Sequence, residues 1–310
     1  MPMTGIPAIV LFSIGSAVLA MLGFIAVRKF SKPIDLDEHQ TFLDAMCNIV
    51  GTLVSILLGL LVAASLDTYQ ALEQTIDLEA NAAAEIFKLS RGLPDPLQGQ
   101  VQTLCEKYCE QVVEVEWPSM ANGKPSLEVF KTAAELTDAI VRFKPANDGE
   151  TNIQASLLQS VENIGNCRRA RILALTNSKS EILLPLLVIC AVTVMLFTYL
   201  YVKHVSPLQA VLIGCVAVVL GGNISLVYLL SKPFTGDWKL QPRGFELNLK
   251  SLRLLYKAGI FAPAAGTCID PKTHMIKQDP NYKAPVVAPI IQAVPAEAGS
   301  ARPIQPAPLR

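Results

Sequence analysis

Four stretches of the chain carry no charged side chain, and polar segments separate them. They are residues 1–27, 45–66, 182–202 and 208–230. Each matches the roughly 20 residues that one helix needs to cross a bilayer core. Two of them, 45–66 and 182–202, flank residues 67–181, which have ordinary soluble character. No Gly or Pro breaks the chain between 66 and 91, so the second run is predicted to continue into a long helix at 67–91. A second long helix near 152–180 feeds the third run. The pattern predicts an all-α protein with four transmembrane helices. A membrane-proximal antiparallel helical bundle is inserted between helices two and three.

The insert reads as four helices. In the first, Tyr69, Leu72, Ile76, Ala80, Ala83 and Phe87 recur at helical spacing, and Gly92 with Leu93-Pro94-Asp95-Pro96 ends it. The second, near 97–115, places Val101, Leu104, Tyr108, Val112 and Val115 on one face, and Glu116-Trp117-Pro118 closes it. Ser126 can cap the third, near 127–143. Residues 144–151 read as a polar loop before the fourth. The predicted organisation is 1–32, first transmembrane helix and basic flank; 33–66, acidic linker and second helix; 67–181, bundle; 182–231, third and fourth helices; 232–261, turn and amphipathic helix; 262–310, a Pro/Ala-rich tail without structure.

Small and polar residues inside the apolar runs fall on faces. Ser16, Ala20 and Gly23 share one side of the first helix, a pattern that permits close helix approach. Asn48, Thr52, Ser55, Gly59 and Ala63 share one side of the second. That stripe is either a helix-packing surface or the wall of a water-filled path. Gly214, Ala217, Gly221 and Ser225 line the fourth helix. Asn223 needs a polar partner, with Asn48 or Thr52 as candidates. After the turn at 232–236, Phe245, Leu249, Leu252 and Leu255 oppose Lys250, Arg253 and Lys257. This helix either lies in the membrane interface or docks on the bundle.

Charge adds one constellation. Asp77, Glu79 and Glu85 follow the second apolar run at nearly the spacing by which Arg168, Arg169 and Arg171 precede the third. At about 1.5 Å of rise per residue the two sets stand at similar heights above the membrane. They form either a salt-bridge layer that sets helix register or a charged vestibule. Arg28, Lys29, Lys32 and Lys203 favour those loops inside, with N-terminus, bundle and tail outside.

Composition narrows the function. Hydrophobic residues make up 51% and charged residues 17%, with a net charge of zero and 6% aromatics, so nothing points to nucleic acid. The seven cysteines and three histidines are scattered. They offer no metal set, and the Cys105–Cys109 pair reads as packing. No phosphate-binding loop, dinucleotide fingerprint, zinc-protease helix or nucleophile elbow occurs, so neither an enzyme nor a cofactor is expected.

The order of several short pieces resembles the bestrophin-like domain family of bacterial integral membrane proteins. They are Gly51 leading to Glu79-Ala80, Ser90-Arg91-Gly92-Leu93-Pro94, and Glu116-Trp117-Pro118-Ser119-Met120. They continue with Arg168-Arg169-Ala170-Arg171 before Leu184-Pro185, and end with Pro233-Phe234-Thr235-Gly236. The chain has Ser231-Lys232 where the family more often has Asp-Arg. The resemblance points to bestrophins, pentameric anion channels, and implies a cytoplasmic helical domain, against the charge count. No clear copy of the hydrophobic bestrophin neck is present. The expectation is a multi-pass protein of the bacterial inner membrane, a homo-oligomer in a lipid bilayer. It is either an ion channel, more readily for anions, or a non-conducting scaffold or sensor whose bundle binds a partner.

Overall fold

The structure, a computed structural model, describes residues 5–30, 40–176, 179–201, 207–236, 238–257, 267–269 and 276–278. The expected linker up to residue 39, the turn carrying Lys203 and His204, and the tail from 279 lie outside the described residues.

With no breaker in its path, α2 (Gln40–Leu89) is one helix of 50 residues, about 75 Å long at about 1.5 Å per residue. It begins within the segment expected as linker, so Asp44 belongs to the helix. A short turn at Ser90–Gly92 ends the rod. A Cβ on Gly92 would press on the terminal methyl of Ile153, which would have to turn aside.

The helical domain continues with α3 (Leu97–Gln111), a π turn at Val112–Glu116 and α4 (Trp117–Ala121). Glu116-Trp117-Pro118 therefore does not close the helical path. Pro118 sits in the first turn of α4, directly after the π turn. Ser126 caps α5 (Leu127–Val141), accepting from Val129 N at 3.5 Å. The last long helix of the domain, α6 (Asp148–Thr176), starts four residues before the expected point. Asn147 and Glu150 make a reciprocal cap: Glu150 N donates to Asn147 Oδ1 at 2.8 Å, and Ala146 N donates to Glu150 Oε2 at 2.7 Å.

α2 and α6 run antiparallel, because Glu79 meets Arg171, Glu85 meets Ser160 and Gly92 meets Ile153. Ile76, Ala83, Ile86, Val101, Tyr108, Leu136, Ile140 and Leu157 form the buried core between them and α3 and α5. Beyond α7 (Lys179–Tyr201) and α8 (Pro207–Leu230), α9 (Arg243–Lys257) docks on this core through Phe245 and Leu249. Asn248 Nδ2 donates to Ala80 O at 2.7 Å. Within the tail expected to lack structure, β1 (Thr267–Ile269) pairs antiparallel with β2 (Ile276–Gln278). Their β-branched Thr267, Ile269 and Ile276 suit a strand.

Three described helices are long and apolar enough to cross a membrane, within α1 (Gly5–Phe30), α2 and α8. A shorter apolar helix, Leu183–Tyr199, lies in α7. Leu58 and Leu61 of α2 pack on Leu187 and Ala191 of α7 and Leu220 and Val227 of α8. α1 packs on α8 through its small-residue face. The Ser16 hydroxyl lies 2.8 Å from Ala217 O, and the Tyr199 hydroxyl donates to Ala20 O at 2.6 Å across Gly23. Asn223 does not reach Asn48 or Thr52; its Nδ2 donates to Val219 O at 3.0 Å, one turn back in its own helix. That bond gives the amide nitrogen a partner within its own helix.

A Cβ on Gly221 would collide with the Ser16 hydroxyl and lie 2.6 Å from the Ser16 Cβ. Gly221→Val is expected to lower stability by about 1–3 kcal/mol through overpacking, read as a lower Tm in detergent. A Cβ on Gly214 would meet nothing within 4 Å, and Gly214→Ala is expected to leave Tm nearly unchanged.

Candidate functional site

Two features carry chemistry: a buried ion cluster in the helical domain and the polar stripe on α2.

The cluster centres on Arg171, which has 0% exposure, as do Glu79 and Glu116. Arg171 Nε and Nη2 donate to the two oxygens of Glu79 at 2.8 and 2.7 Å, a bidentate pair. Nη2 also donates to Glu116 Oε2 at 2.8 Å. The guanidinium lies over the Trp117 ring, 5.3 Å from its centre. Arg168 donates to Glu116 Oε1 at 2.5 Å and to Ser126 O at 3.1 Å. The Tyr108 hydroxyl donates to Glu79 Oε1 at 2.6 Å. Two carboxylates face two guanidiniums, so the buried charges balance.

Burial opposes the charged form of Arg171, but the Glu79 and Glu116 carboxylates override it and hold the guanidinium charged. Burial alone would raise the Glu116 carboxyl. The Arg171 and Arg168 guanidiniums beside it outweigh that and keep it below the usual 4.5. Burial first, and then the Glu79 carboxylate, push the Tyr108 phenol well above its ordinary range, so it remains a donor.

Of the six charges read from sequence, Glu79, Arg168 and Arg171 come together. Glu85 is exposed and accepts from the Ser160 hydroxyl at 2.9 Å. Asp77 is exposed beside Gly244, and Arg169 is exposed. The sequence reading missed Glu116, Tyr108 and Trp117 as members. Glu116 carried a signal: it stands one turn past Val112 on the predicted apolar face.

On α2, Asn48, Thr52, Ser55, Gly59 and Ala63 are all exposed. The Thr52 and Ser55 hydroxyls donate to Asn48 O and Gly51 O, both at 2.7 Å. These bonds commit both hydroxyl protons within the helix. The stripe is thus uncovered by any described element, whereas Leu58 and Leu61 are buried on another face. One turn before Asn48, Asp44 stands at the head of the stripe. There a cleft of about 460 Å³ opens between α2 and α7, lined by Asp44, Cys47, Asn48, Gly51, Val194 and Thr198 among others.

Removing one partner of the buried cluster leaves a bare charge, which costs about 3–5 kcal/mol. Glu116→Gln is expected to lower Tm sharply at pH 7. Glu116 titrates lower folded than unfolded, so its stabilisation is present above pH 4.5 and is lost as pH falls through the depressed value. A Tm-against-pH profile is expected to drop below pH 4.5 and to be flatter in Glu116→Gln.

Known proteins share the fold. The Bestrophin-like domain family matches residues 14–245. No curated protein matches the chain. A bacterial bestrophin homologue from Klebsiella pneumoniae, solved by Zn-SAD phasing, is 13% identical with a TM-score of 0.55, over 82% of this chain and 98% of its own. A single-substitution variant of that homologue gives 11% and 0.56 over 78% and 97%. A crystal structure described only as that of a membrane protein, again a single-substitution variant, gives 12% and 0.55 over 82% and 98%. At these identities the likeness is one of fold. With the family matched over most of its length and its apolar helices in place, the chain belongs to the bestrophin-like domain family and is an integral membrane protein.

Proposed function

We propose that the protein is an oligomeric ion channel whose copies meet around the α2 stripe. All four apolar helices span the membrane, and Asn48, Thr52, Ser55 and Gly59 line the path. One observation carries this reading: the polar stripe is exposed on the single chain. A transmembrane face of amide, hydroxyl and glycine fits hydrocarbon poorly. It fits water or a neighbouring copy better, while the exposed Leu53, Ile56 and Leu60 suit lipid. A stripe buried against α1 or α8 would have favoured the scaffold or sensor reading.

Selectivity needs a different source from the one first expected. A vestibule that selects anions would need Arg168 and Arg171 open to water. Both are buried and paired with carboxylates. On this reading they form a salt-bridge layer that fixes helix register, and of the three arginines only Arg169 is exposed.

Purified protein in liposomes is expected to pass ions, and Asn48→Leu with Thr52→Leu is expected to abolish that flux while the oligomer stays intact. Flux that persists in the double variant would remove the stripe from the path. No flux from the wild type under several ions and voltages would favour the scaffold or sensor reading.

A further inference from the structure

We propose that Asp44, Asn48 and Thr198 form a binding site for a monovalent cation at the head of the α2 stripe.

Asp44 Oδ1 is shut off from solvent and takes no hydrogen bond from any described residue. A buried acceptor left without a donor costs about 1–3 kcal/mol, and more when it is charged. Its missing partner is a hydrogen-bond donor, a proton or a cation.

The surroundings favour a cation. Asp44 lines a cleft of about 460 Å³, with room for an ion that keeps part of its water. The same wall carries Asn48, one helical turn on, with a side-chain carbonyl. Across the cleft, Thr198 Oγ1 donates its proton to Val194 O at 2.8 Å. The hydroxyl proton is thus committed, and the oxygen can only accept from, or coordinate, what enters. No Lys, Arg or His lines the cleft among the described residues. Carboxylate, amide and hydroxyl oxygens are hard donors suited to alkali or alkaline-earth ions. No group of three or more His, Cys, Asp or Glu side chains that could hold a metal ion occurs among the described residues. A calcium or zinc site would need more anionic or softer ligands. One carboxylate matches one positive charge.

The proposal deepens the channel reading by naming the charge the path admits, but it is tested by binding alone. Purified protein in lipid-depleted detergent is melted at constant ionic strength, with Na⁺ or K⁺ replacing N-methyl-D-glucamine. A saturable rise in Tm with Na⁺ or K⁺ is expected. Asp44→Asn is expected to lose it, and Asp67→Asn, an exposed carboxylate on the same helix, to keep it. Thr198→Val retains shape and is expected to raise the half-saturating concentration about tenfold, the effect of one weakened ligand. This variant also serves if Asp44→Asn does not fold. The proposal is overturned if the wild type shows no cation response, as for a carboxyl that is simply protonated. An equal response in every variant overturns it too. A response that depends on Asp44 in a protein that passes no ions supports the site and sinks only the channel reading.

Discussion

Arg171 keeps its charge in a place without water, and the helical domain is arranged around that fact. Its two carboxylate partners come from different elements, Glu79 from α2 and Glu116 from the π turn. Arg168, from the same turn of α6, completes the neutralisation of Glu116. Buried pairs of this kind add little net stability over apolar packing, yet any single unpaired member is costly. Their effect is on specificity. A slip of α2 against α6 by one turn would leave a guanidinium and a carboxylate buried and unmatched.

That register reaches the membrane, because α2 does not stop where the membrane does. The helix that presents Glu79 to Arg171 also presents Asn48, Thr52 and Ser55 about 40 Å away, at about 1.5 Å per residue. A rod of this length transmits rotation or tilt without a hinge. On the channel reading, the ion cluster fixes which way the polar stripe faces. The α1–α8 pair is built differently, by close approach at Gly221 and a hydroxyl-to-carbonyl contact at Ser16. It holds α1 and α8 together without involving the stripe.

Much of this was legible in the residues. Helix faces and the Ser126 cap follow from periodicity, and counting residues out from the membrane brings the α2 carboxylates level with the α6 arginines. The failures have local causes. Asn147 and Glu150 have the composition of a polar loop but form a reciprocal cap, which starts α6 earlier than composition suggests. A π turn, which period-3.6 reasoning does not anticipate, rotated Glu116 into the core and carried the chain past Pro118. Asp44 was assigned to a linker, which hid an ionisable group at the head of a stripe that looked uncharged. Asn223 was given a distant partner although its own helix supplied one. Whether the stripe meets other copies was beyond pattern, because exposure on one chain is a property of the folded neighbours.

The most direct measurement is oxidative cross-linking of Ser55→Cys in native membranes, read against wild type and against Leu53→Cys on the lipid-suited face of the same helix. Copies that meet around the stripe predict disulfide-linked species for Ser55→Cys well above both controls. Cross-linking of Ser55→Cys no greater than wild type, or weaker than Leu53→Cys, would contradict it and turn the stripe away from the other copies.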